Sequence, residues 1–209
     1  GEPIASFASI AAYCLANGHA LNIEIKPTPG QERITGETVA REAARLWAGR
    51  ALPPLLSSFE PAALEGARGG APDLPRALLI DSLVEGWFER ARALGCVAVV
   101  ADFRLFDRDM VARLHGAGLW ALAYTVNDAS AARALLDLGL DGLITDAVDR
   151  FSPAVLDSQF NFRGTDITFL RYLQLWVAHD PAHSLDMLRG LPAERRDEGV
   201  DDWLKKYRM

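Results

Sequence analysis

Two patterns of hydrophobic residues alternate along most of the chain. Short apolar runs rich in β-branched and leucine residues are followed by longer segments in which apolar residues recur every three or four positions. This alternation is typical of parallel strands joined by helical crossovers, because parallel neighbours cannot be connected by a tight turn. The pattern predicts six strands, over residues 20–26, 55–59, 76–80, 97–101, 119–126 and 141–145.

Two of the intervening helices can be bounded from the sequence alone. Residues 36–47 and 130–138 each carry apolar residues on one stripe, which is the spacing of an amphipathic helix. Gly139 directly follows the second of these segments and is a typical helix stop. The predicted helices therefore fill the gaps between predicted strands, as βα units require.

The pattern changes near residue 157. No further strand is predicted beyond this point, and residues 165–177 indicate an amphipathic helix with an aromatic and leucine face. We therefore expect an α/β domain over residues 1–157 and a helical appendage over residues 158–209.

Charge occupies an unusual position in the first predicted strand. Side chains alternate between the faces of a strand, so Asn22, Glu24 and Lys26 are expected to point the same way. We expect this strand to be buried, with both faces covered, and there an unpaired charge costs several kcal/mol, on the order of the whole stability of a domain. We therefore expect Glu24 and Lys26 to form a structural ion pair, to bind a metal or to face a ligand.

Polar residues also follow the other predicted strands. In β/α barrels and open α/β sheets the functional site lies outside the carboxyl ends of the strands. Loops begin with polar residues in any protein, so the set carries more weight than its individual members. After the first strand the set consists of Ser57, Ser58, Asp81, Asp102, Thr125, Asn127, Asp128, Thr145 and Asp146.

The four histidines give weak signals for chemistry. His179 and His183 are spaced to share one helical face, but Pro181 between them favours a helix boundary over a metal site. His19 and His115 are expected to be surface or packing residues.

Composition excludes several classes of protein. The chain has 209 residues, half of them hydrophobic, a net charge of −6 and an isoelectric point near 5.2. It contains no basic block typical of nucleic-acid binding, and no run approaches the ~20 apolar residues of a membrane span. The amino terminus does not resemble a signal peptide, so any export signal is expected upstream. Cys14 and Cys96 are expected to be buried hydrophobic residues and not a disulfide.

Residues 21–27 resemble the glycerophosphodiester phosphodiesterase family, in particular the bacterial cytosolic enzymes associated with glycerol phosphate uptake. Further matching motifs follow in the order and at the spacing of the family, across roughly residues 1–155. They lie at residues 53–59, 95–97, 124–127 and 141–146.

This resemblance implies a (β/α)8 TIM barrel that hydrolyses glycerophosphodiesters to glycerol 3-phosphate and an alcohol in the cytoplasm, within glycerophospholipid and glycerol metabolism. It also implies a divalent cation, Mg²⁺ or Ca²⁺, as cofactor. Glu24 matches a metal ligand, Lys26 matches a lysine beside the phosphate, and Tyr124 matches a position, often tryptophan, that lines the substrate cleft. Phe59 is expected either to add an apolar wall to that cleft or to be buried in the barrel core. Asn127 and Asp146 are expected to fix loops.

The chain departs from the family at its beginning. Family members open with a strand ending in His-Arg-Gly, followed by a glutamate, an aspartate and a second histidine, and residues 1–10 instead resemble the segment before the third strand. We therefore expect an incomplete barrel of about six βα units without the catalytic histidine pair. Loss of general acid–base catalysis costs ~10²- to 10⁴-fold in rate, so the chain alone is expected to be inactive or nearly so.

An incomplete barrel has further consequences. It exposes two sheet edges, which favours self-association or pairing with a partner chain. The alternative to an enzyme is a non-catalytic barrel remnant that binds a small molecule or acts in assembly.

Overall fold

The computed structural model describes residues 5–17, 19–50 and 52–147. In these ranges six α-helices alternate with six strands, and a short 3₁₀ helix follows the fourth strand. In chain order the elements are α1 (Phe7–Ala16), β1 (Asn22–Glu24), α2 (Glu32–Leu46), β2 (Leu55–Ser58), α3 (Pro61–Gly70), β3 (Arg76–Ile80), α4 (Trp87–Ala93), β4 (Ala98–Asp102), the 3₁₀ helix (Phe103–Leu105), α5 (Arg108–Gly116), β5 (Trp120–Tyr124), α6 (Ala129–Leu138) and β6 (Gly142–Leu143).

All six strands lie parallel in one sheet, in the order β1-β2-β3-β4-β5-β6. Sequential parallel neighbours joined by helices form a half-barrel, so the predicted incomplete TIM barrel of six βα units is confirmed. The predicted appendage over residues 158–209, with His179 and His183, lies outside the described residues.

Several predicted boundaries needed correction. β3 has the predicted bounds, whereas the first strand covers only Asn22–Glu24 instead of residues 20–26. Among the described residues β1 is hydrogen-bonded to β2 alone, and a strand with one partner has fewer ladder bonds to extend it. Helix α2 begins at Glu32, one turn before the predicted start at Gly36.

Gly36 lies inside a helix because α2 and α3 touch through their backbones. A Cβ atom added at Gly36 would lie 1.9 Å from the carbonyl oxygen of Ala63, and one at Gly66 would lie 2.0 Å from that of Arg33. Only glycine permits this approach, which offsets its poor helix propensity. The close contact holds the first two βα units together.

Hydrophobic residues cover both faces of the sheet. Toward the helices, Leu78 and Val99 pack in one large cluster with Trp87 of α4 and Leu114 of α5. On the opposite, concave face a smaller cluster contains residues from β3, β4 and β5, namely Ala77, Leu79, Ala98, Val100 and Leu122. Strand side chains alternate between these two clusters. The face on which each residue at the end of a strand lies follows from this alternation.

The ends of α6 are set by local chemistry. The Asp128 carboxylate accepts the backbone N–H of Ala131 at 2.9 Å, which caps the first turn. Gly139 ends the helix in the left-handed region at φ 97°, as predicted.

Both cysteines are buried as free thiols, which confirms the sequence prediction. Burial raises the pKa of Cys14 above its ordinary value and that of Cys96 to about 11. In the part of the chain that the structure describes, every helix is too short or too polar to cross a membrane.

Candidate functional site

A set of inward-facing side chains lies at the carboxyl edge of the half-barrel. On β3, Ala77 and Leu79 face the concave side, so the next inward position is Asp81. The same alternation makes Asp102 the next inward position after Val100 of β4. We call this set the carboxyl layer; it consists of Glu24, Phe59, Asp81, Asp102 and Tyr124, which lie at or just beyond the ends of β1 to β5.

Two aromatic residues of the carboxyl layer meet across the concave face. The rings of Phe59 and Tyr124 pack edge to face, with centroids 5.9 Å apart and an interplanar angle of 84°. The Tyr124 hydroxyl donates a hydrogen bond of 2.9 Å to the carbonyl oxygen of Ile80. Phe59 is 41% exposed, so the alternative that it is buried in the barrel core is wrong. The two residues expected to line a cleft thus lie together.

Negative charge surrounds the Tyr124 hydroxyl. Burial raises the pKa of Tyr124 most, and the charges of Asp81, Asp102 and Glu24 raise it further in that order. These carboxylates come from three strands, and the positive charge of Arg104 opposes their effect on the pKa of Tyr124. The Tyr124 hydroxyl therefore remains a protonated hydrogen-bond donor at neutral pH.

Glu24 and Lys26 are not buried charges, and this expectation was wrong. The Glu24 side chain is 34% exposed and that of Lys26 is 78% exposed, with 3.5 Å between Glu24 Oε1 and Lys26 Nζ. The strand ends at Glu24, so Lys26 lies beyond the sheet, next to solvent. Such an exposed ion pair contributes about 0–1 kcal/mol to the stability of the fold. Either group can therefore leave this contact and bind a ligand instead.

Asp102 is held by an arginine that the sequence analysis did not single out. The Arg104 guanidinium donates to both carboxylate oxygens, with Nε at 2.9 Å and Nη2 at 2.5 Å, and the Arg104 backbone N–H adds a bond of 3.0 Å. The Arg104 side chain lowers the pKa of Asp102 to about 2. An arginine two residues after a strand-ending aspartate was the available signal, since that spacing permits a local fork.

Asp81 has a different environment from the other carboxylates of this layer. It accepts a hydrogen bond of 2.9 Å from the Ser82 hydroxyl, and among the described residues it forms no ion pair. The negative charges of Glu24 and Asp102 each have a cationic neighbour, whereas that of Asp81 has none in this part of the chain.

Asn127 joins two loops at the same edge of the sheet. Its side-chain oxygen accepts hydrogen bonds of 2.9 Å from the Thr145 hydroxyl and from the Asp146 backbone N–H. Its amide nitrogen also donates to the Asp146 carboxylate at 3.4 Å. These bonds connect the ends of β5 and β6 in the way expected of loop-fixing residues.

The serines at the end of β2 are occupied by neighbours. Ser57 donates to the Asn22 side-chain oxygen at 2.9 Å, and Ser58 donates to the Ile25 carbonyl oxygen at 2.7 Å. Both are fully buried, so they fix the end of β1 against β2 and are not available to a ligand.

The two described histidines lie away from this edge. His115 Nε2 lies 2.8 Å from an Asp141 carboxylate oxygen that also accepts the Ala121 backbone N–H, where β5 and β6 begin. His19 precedes β1 and packs against the ring of Tyr13, with centroids 5.8 Å apart. Within residues 5–17, 19–50 and 52–147, the carboxyl edge therefore has no histidine for proton transfer.

A metal site can be assembled only in part from these residues. The described ranges contain no group of three or more His, Cys, Asp or Glu side chains arranged to hold a metal ion. Glu24 offers an exposed carboxylate, and hard divalent cations take carboxylate oxygens together with water and substrate phosphate. The donor chemistry fits one ligand of such a site.

Solved structures similar to this chain include several phosphodiesterases. One is an Oleispira antarctica phosphodiesterase in complex with the product sn-glycerol-3-phosphate: it is 29% identical, has a TM-score of 0.61, and the match covers 68% of this chain and 57% of that one. A Parabacteroides distasonis glycerophosphodiester phosphodiesterase is 16% identical, with a TM-score of 0.53 and coverage of 69% and 57%. At 16% identity this second similarity shows the fold alone.

The chain spans just over half the length of these two solved relatives. A sequence search of curated proteins found no match. The model of the glycerophosphoryl diester phosphodiesterase family, in contrast, matches residues 2–150, which is most of the chain. This match includes every strand and helix of the half-barrel and its carboxyl layer, and the chain belongs to the glycerophosphoryl diester phosphodiesterase family.

Proposed function

We propose that the chain takes part in the hydrolysis of glycerophosphodiesters to glycerol 3-phosphate and an alcohol. The observation that carries this proposal is the position of Glu24 and Lys26, side by side and exposed at the carboxyl edge. Family membership and the glycerol 3-phosphate bound to the Oleispira antarctica relative support the choice of substrate. The proposed setting is the cytoplasm, in glycerophospholipid and glycerol metabolism, since the sequence resembles the cytosolic bacterial enzymes.

In this proposal Glu24 is one ligand of a divalent cation, Mg²⁺ or Ca²⁺. Such a cation, when bound, supplies a Lewis acid that polarises a phosphoryl oxygen. Lys26 exchanges its weak ion pair with Glu24 for a substrate phosphate oxygen, because its long side chain is mostly exposed and free to turn. Phe59 and Tyr124 form an aromatic wall that excludes water from one side of the diester.

General acid–base catalysis needs a further group. A proton donor must reach the bridging oxygen to assist the leaving alcohol, and no described histidine lies at this edge. We propose that residues other than those described supply this group, and that the chain alone has little or no hydrolytic activity.

The position of the histidines also favours a second candidate function. His115 is engaged by Asp141 at the opposite edge of the sheet and is not beside Glu24 and Lys26, and binding of a phosphorylated small molecule without turnover needs no proton-transfer group there. In that case the chain is a non-catalytic binding or assembly protein.

Calorimetric titration of glycerol 3-phosphate, with Mg²⁺ or Ca²⁺ present, tests the site common to both candidates. We expect Lys26→Met to weaken binding at least ~10-fold, because one charge-assisted phosphate contact is lost. Glu24→Gln should remove the dependence of binding on the metal. Glu85→Gln, which removes an exposed carboxylate from the β3–α4 loop, is the matched control and should leave binding unchanged. Binding that is insensitive to both site variants would contradict the site.

Turnover of glycerophosphocholine then separates the two functions. The chain is compared with a version extended at its amino end by a His-Arg-Gly strand, each with its Glu24→Gln variant. Turnover by the extended protein alone, lost in Glu24→Gln, supports the enzyme. Two folded proteins that bind glycerol 3-phosphate without turnover would favour the binding function.

A further inference from the structure

Exposed hydrophobic residues are concentrated at the carboxyl edge of the half-barrel. Among the described residues seven large hydrophobic side chains are exposed, and four of them follow strands at this edge. Phe59 follows β2, Leu83 and Val84 lie in the loop after β3, and Ile144 follows β6. We call these four residues the rim patch, and they share one end of the fold because all six strands are parallel. Such a concentration of exposed apolar residues is typical of a docking surface.

The chain contains a segment that requires a surface of this kind. The described residues end at 147, three residues after Ile144 and close to the rim patch in sequence. Beyond them the sequence predicts an amphipathic helix over residues 165–177, which we call the tail helix. Its apolar face consists of Phe169, Leu170, Leu173 and Trp176. A helix of this length is marginal in water unless its apolar face is packed, so the tail helix needs a partner surface.

The lengths of the segments allow the tail helix to dock on the rim patch. Residues 148–164 span up to about 55 Å when extended, so they do not limit which strand end the helix reaches. The tail helix is about 20 Å long at a rise of about 1.5 Å per residue. Four strand spacings of about 4.8 Å separate β2 from β6, which is about 19 Å along the edge. The tail helix therefore matches the rim patch in length.

Charge favours the tail helix over a second copy of the chain as the occupant of the rim patch. Each copy carries a net charge of −6, so the approach of two copies is opposed by repulsion. Residues 165–177 carry one acidic and one basic residue and are neutral overall. Attachment to the same chain also keeps the tail helix at an effective concentration on the order of millimolar.

We propose that the tail helix docks across the carboxyl edge and covers the rim patch with its apolar face. This inference does not rest on the proposed function, because it follows from apolar exposure, length and charge. It adds a consequence for that function. The docked helix covers Phe59, one ring of the proposed aromatic wall, so a ligand that needs this ring must displace the helix.

A nitroxide spin label on the full chain tests the docking by NMR. The label is attached at Thr168→Cys, away from the apolar face, in a background with Cys14→Ala and Cys96→Ala. The methyl signals of the rim patch should lose most of their intensity, because the unpaired electron lies close to them. The methyl signal of Ala117, exposed between α5 and β5 at the opposite edge, should keep its intensity.

Variants on both sides of the contact complete the test. Leu173→Asp places a charge in the apolar face and should restore the rim-patch signals, whereas Gln174→Asp, with the same charge outside that face, should leave them broadened. Leu83→Asp changes only the exposed loop after β3 and should restore the Ile144 signal without altering the helix.

Three results would overturn the proposal. The first is full intensity of the rim-patch signals in the labelled wild-type sequence. The second is broadening that survives both Leu173→Asp and Leu83→Asp. The third is broadening seen only when spin-labelled chains are mixed with isotope-labelled chains, which would assign the rim patch to a second copy.

Discussion

Tyr124 connects three strands through one side chain. Its backbone ends β5, its hydroxyl bonds to the carbonyl of Ile80 at the end of β3, and its ring packs on Phe59 just after β2. The Tyr124 side chain thus reaches across the concave face, and its hydroxyl makes a polar contact at the tip.

Replacing this tyrosine with phenylalanine should isolate the polar contact. Tyr124→Phe keeps the ring contact but leaves the half-buried carbonyl of Ile80 without its donor, so we expect a loss of about 1 kcal/mol in the free energy of unfolding. Urea unfolding at neutral pH measures this change, and the slope of the transition should be unchanged. Unaltered stability would mean that water replaces the hydroxyl.

Cys96 should be chemically inert in the folded protein. Burial raises its pKa from 9.0 to about 11, although the nearby Arg76 opposes this change. At pH 8 only about one thiol in a thousand is then ionised, and the thiolate is the reactive form. We expect almost no alkylation of Cys96 by iodoacetamide at pH 8, followed in the Cys14→Ser background by mass spectrometry, and fast alkylation in urea.

The same pKa predicts how stability changes in alkaline solution. The pKa of Cys96 is higher in the folded protein than in the unfolded chain. The neutral thiol therefore contributes fully to the free energy of unfolding below pH 9, and this contribution is lost as the pH rises toward 11. Rapid alkylation at pH 8 without denaturant would contradict the buried position of this side chain.

At the scale of elements, helices α2 and α3 touch through their backbones. Gly36→Ala places a methyl group against the backbone oxygen of Ala63, which cannot move without shifting a helix. We expect a loss of about 3 kcal/mol or more in unfolding free energy, measured by urea denaturation.

A second glycine of the same pair of helices gives the control. Gly69 in α3 has no atom within 4 Å of an added Cβ, so Gly69→Ala should be neutral or stabilise by up to about 1 kcal/mol. Equal effects of the two variants would mean that helix propensity, and not the close contact, determines the result.

The elements differed in how well the sequence defined them. The strand over residues 76–80 consists of Arg76 followed by four apolar residues, between a proline and an aspartate, and the predicted strand was correct to the residue. The first strand was predicted too long because apolar character continues to Ile25, whereas the strand ends at Glu24. Ile25 still donates its backbone N–H to the Ser57 carbonyl oxygen at 2.7 Å, so the chain stays beside β2 for one residue more. Gly36 was mistaken for a helix start because only the packed structure shows why a helix needs glycine there.

At the scale of the whole molecule, the sequence predicted that the candidate residues lie at one edge of the sheet but not the contacts among them. Phe59 and Tyr124 were both expected near a cleft, yet their contact depends on the curvature of the sheet, which no local pattern encodes. Arg104 was missed because it acts on a carboxylate two residues away and not on a strand pattern. The prediction that Glu24 and Lys26 are buried was wrong because the sequence pattern does not show that the end of β1 is exposed.

The described sheet has two outer strands, and each pairs with one described neighbour. β1 pairs only with β2 in these ranges, and β6 only with β5. Unpaired strand edges associate with other chains, so we expect self-association that grows with protein concentration. Added salt should strengthen it by screening the net charge of −6. Sedimentation velocity at several concentrations measures this, and a monomer throughout would contradict it.

The edge-to-face contact between Phe59 and Tyr124 bridges the carboxyl ends of β2 and β5, with β3 and β4 between them. Flattening of the sheet would draw the two rings apart before any strand pair had to separate. The ring-current shift of Phe59 on the Tyr124 protons is consequently a gauge of curvature. It would show, in a single spectrum, whether a ligand or an added chain bends the half-barrel toward closure.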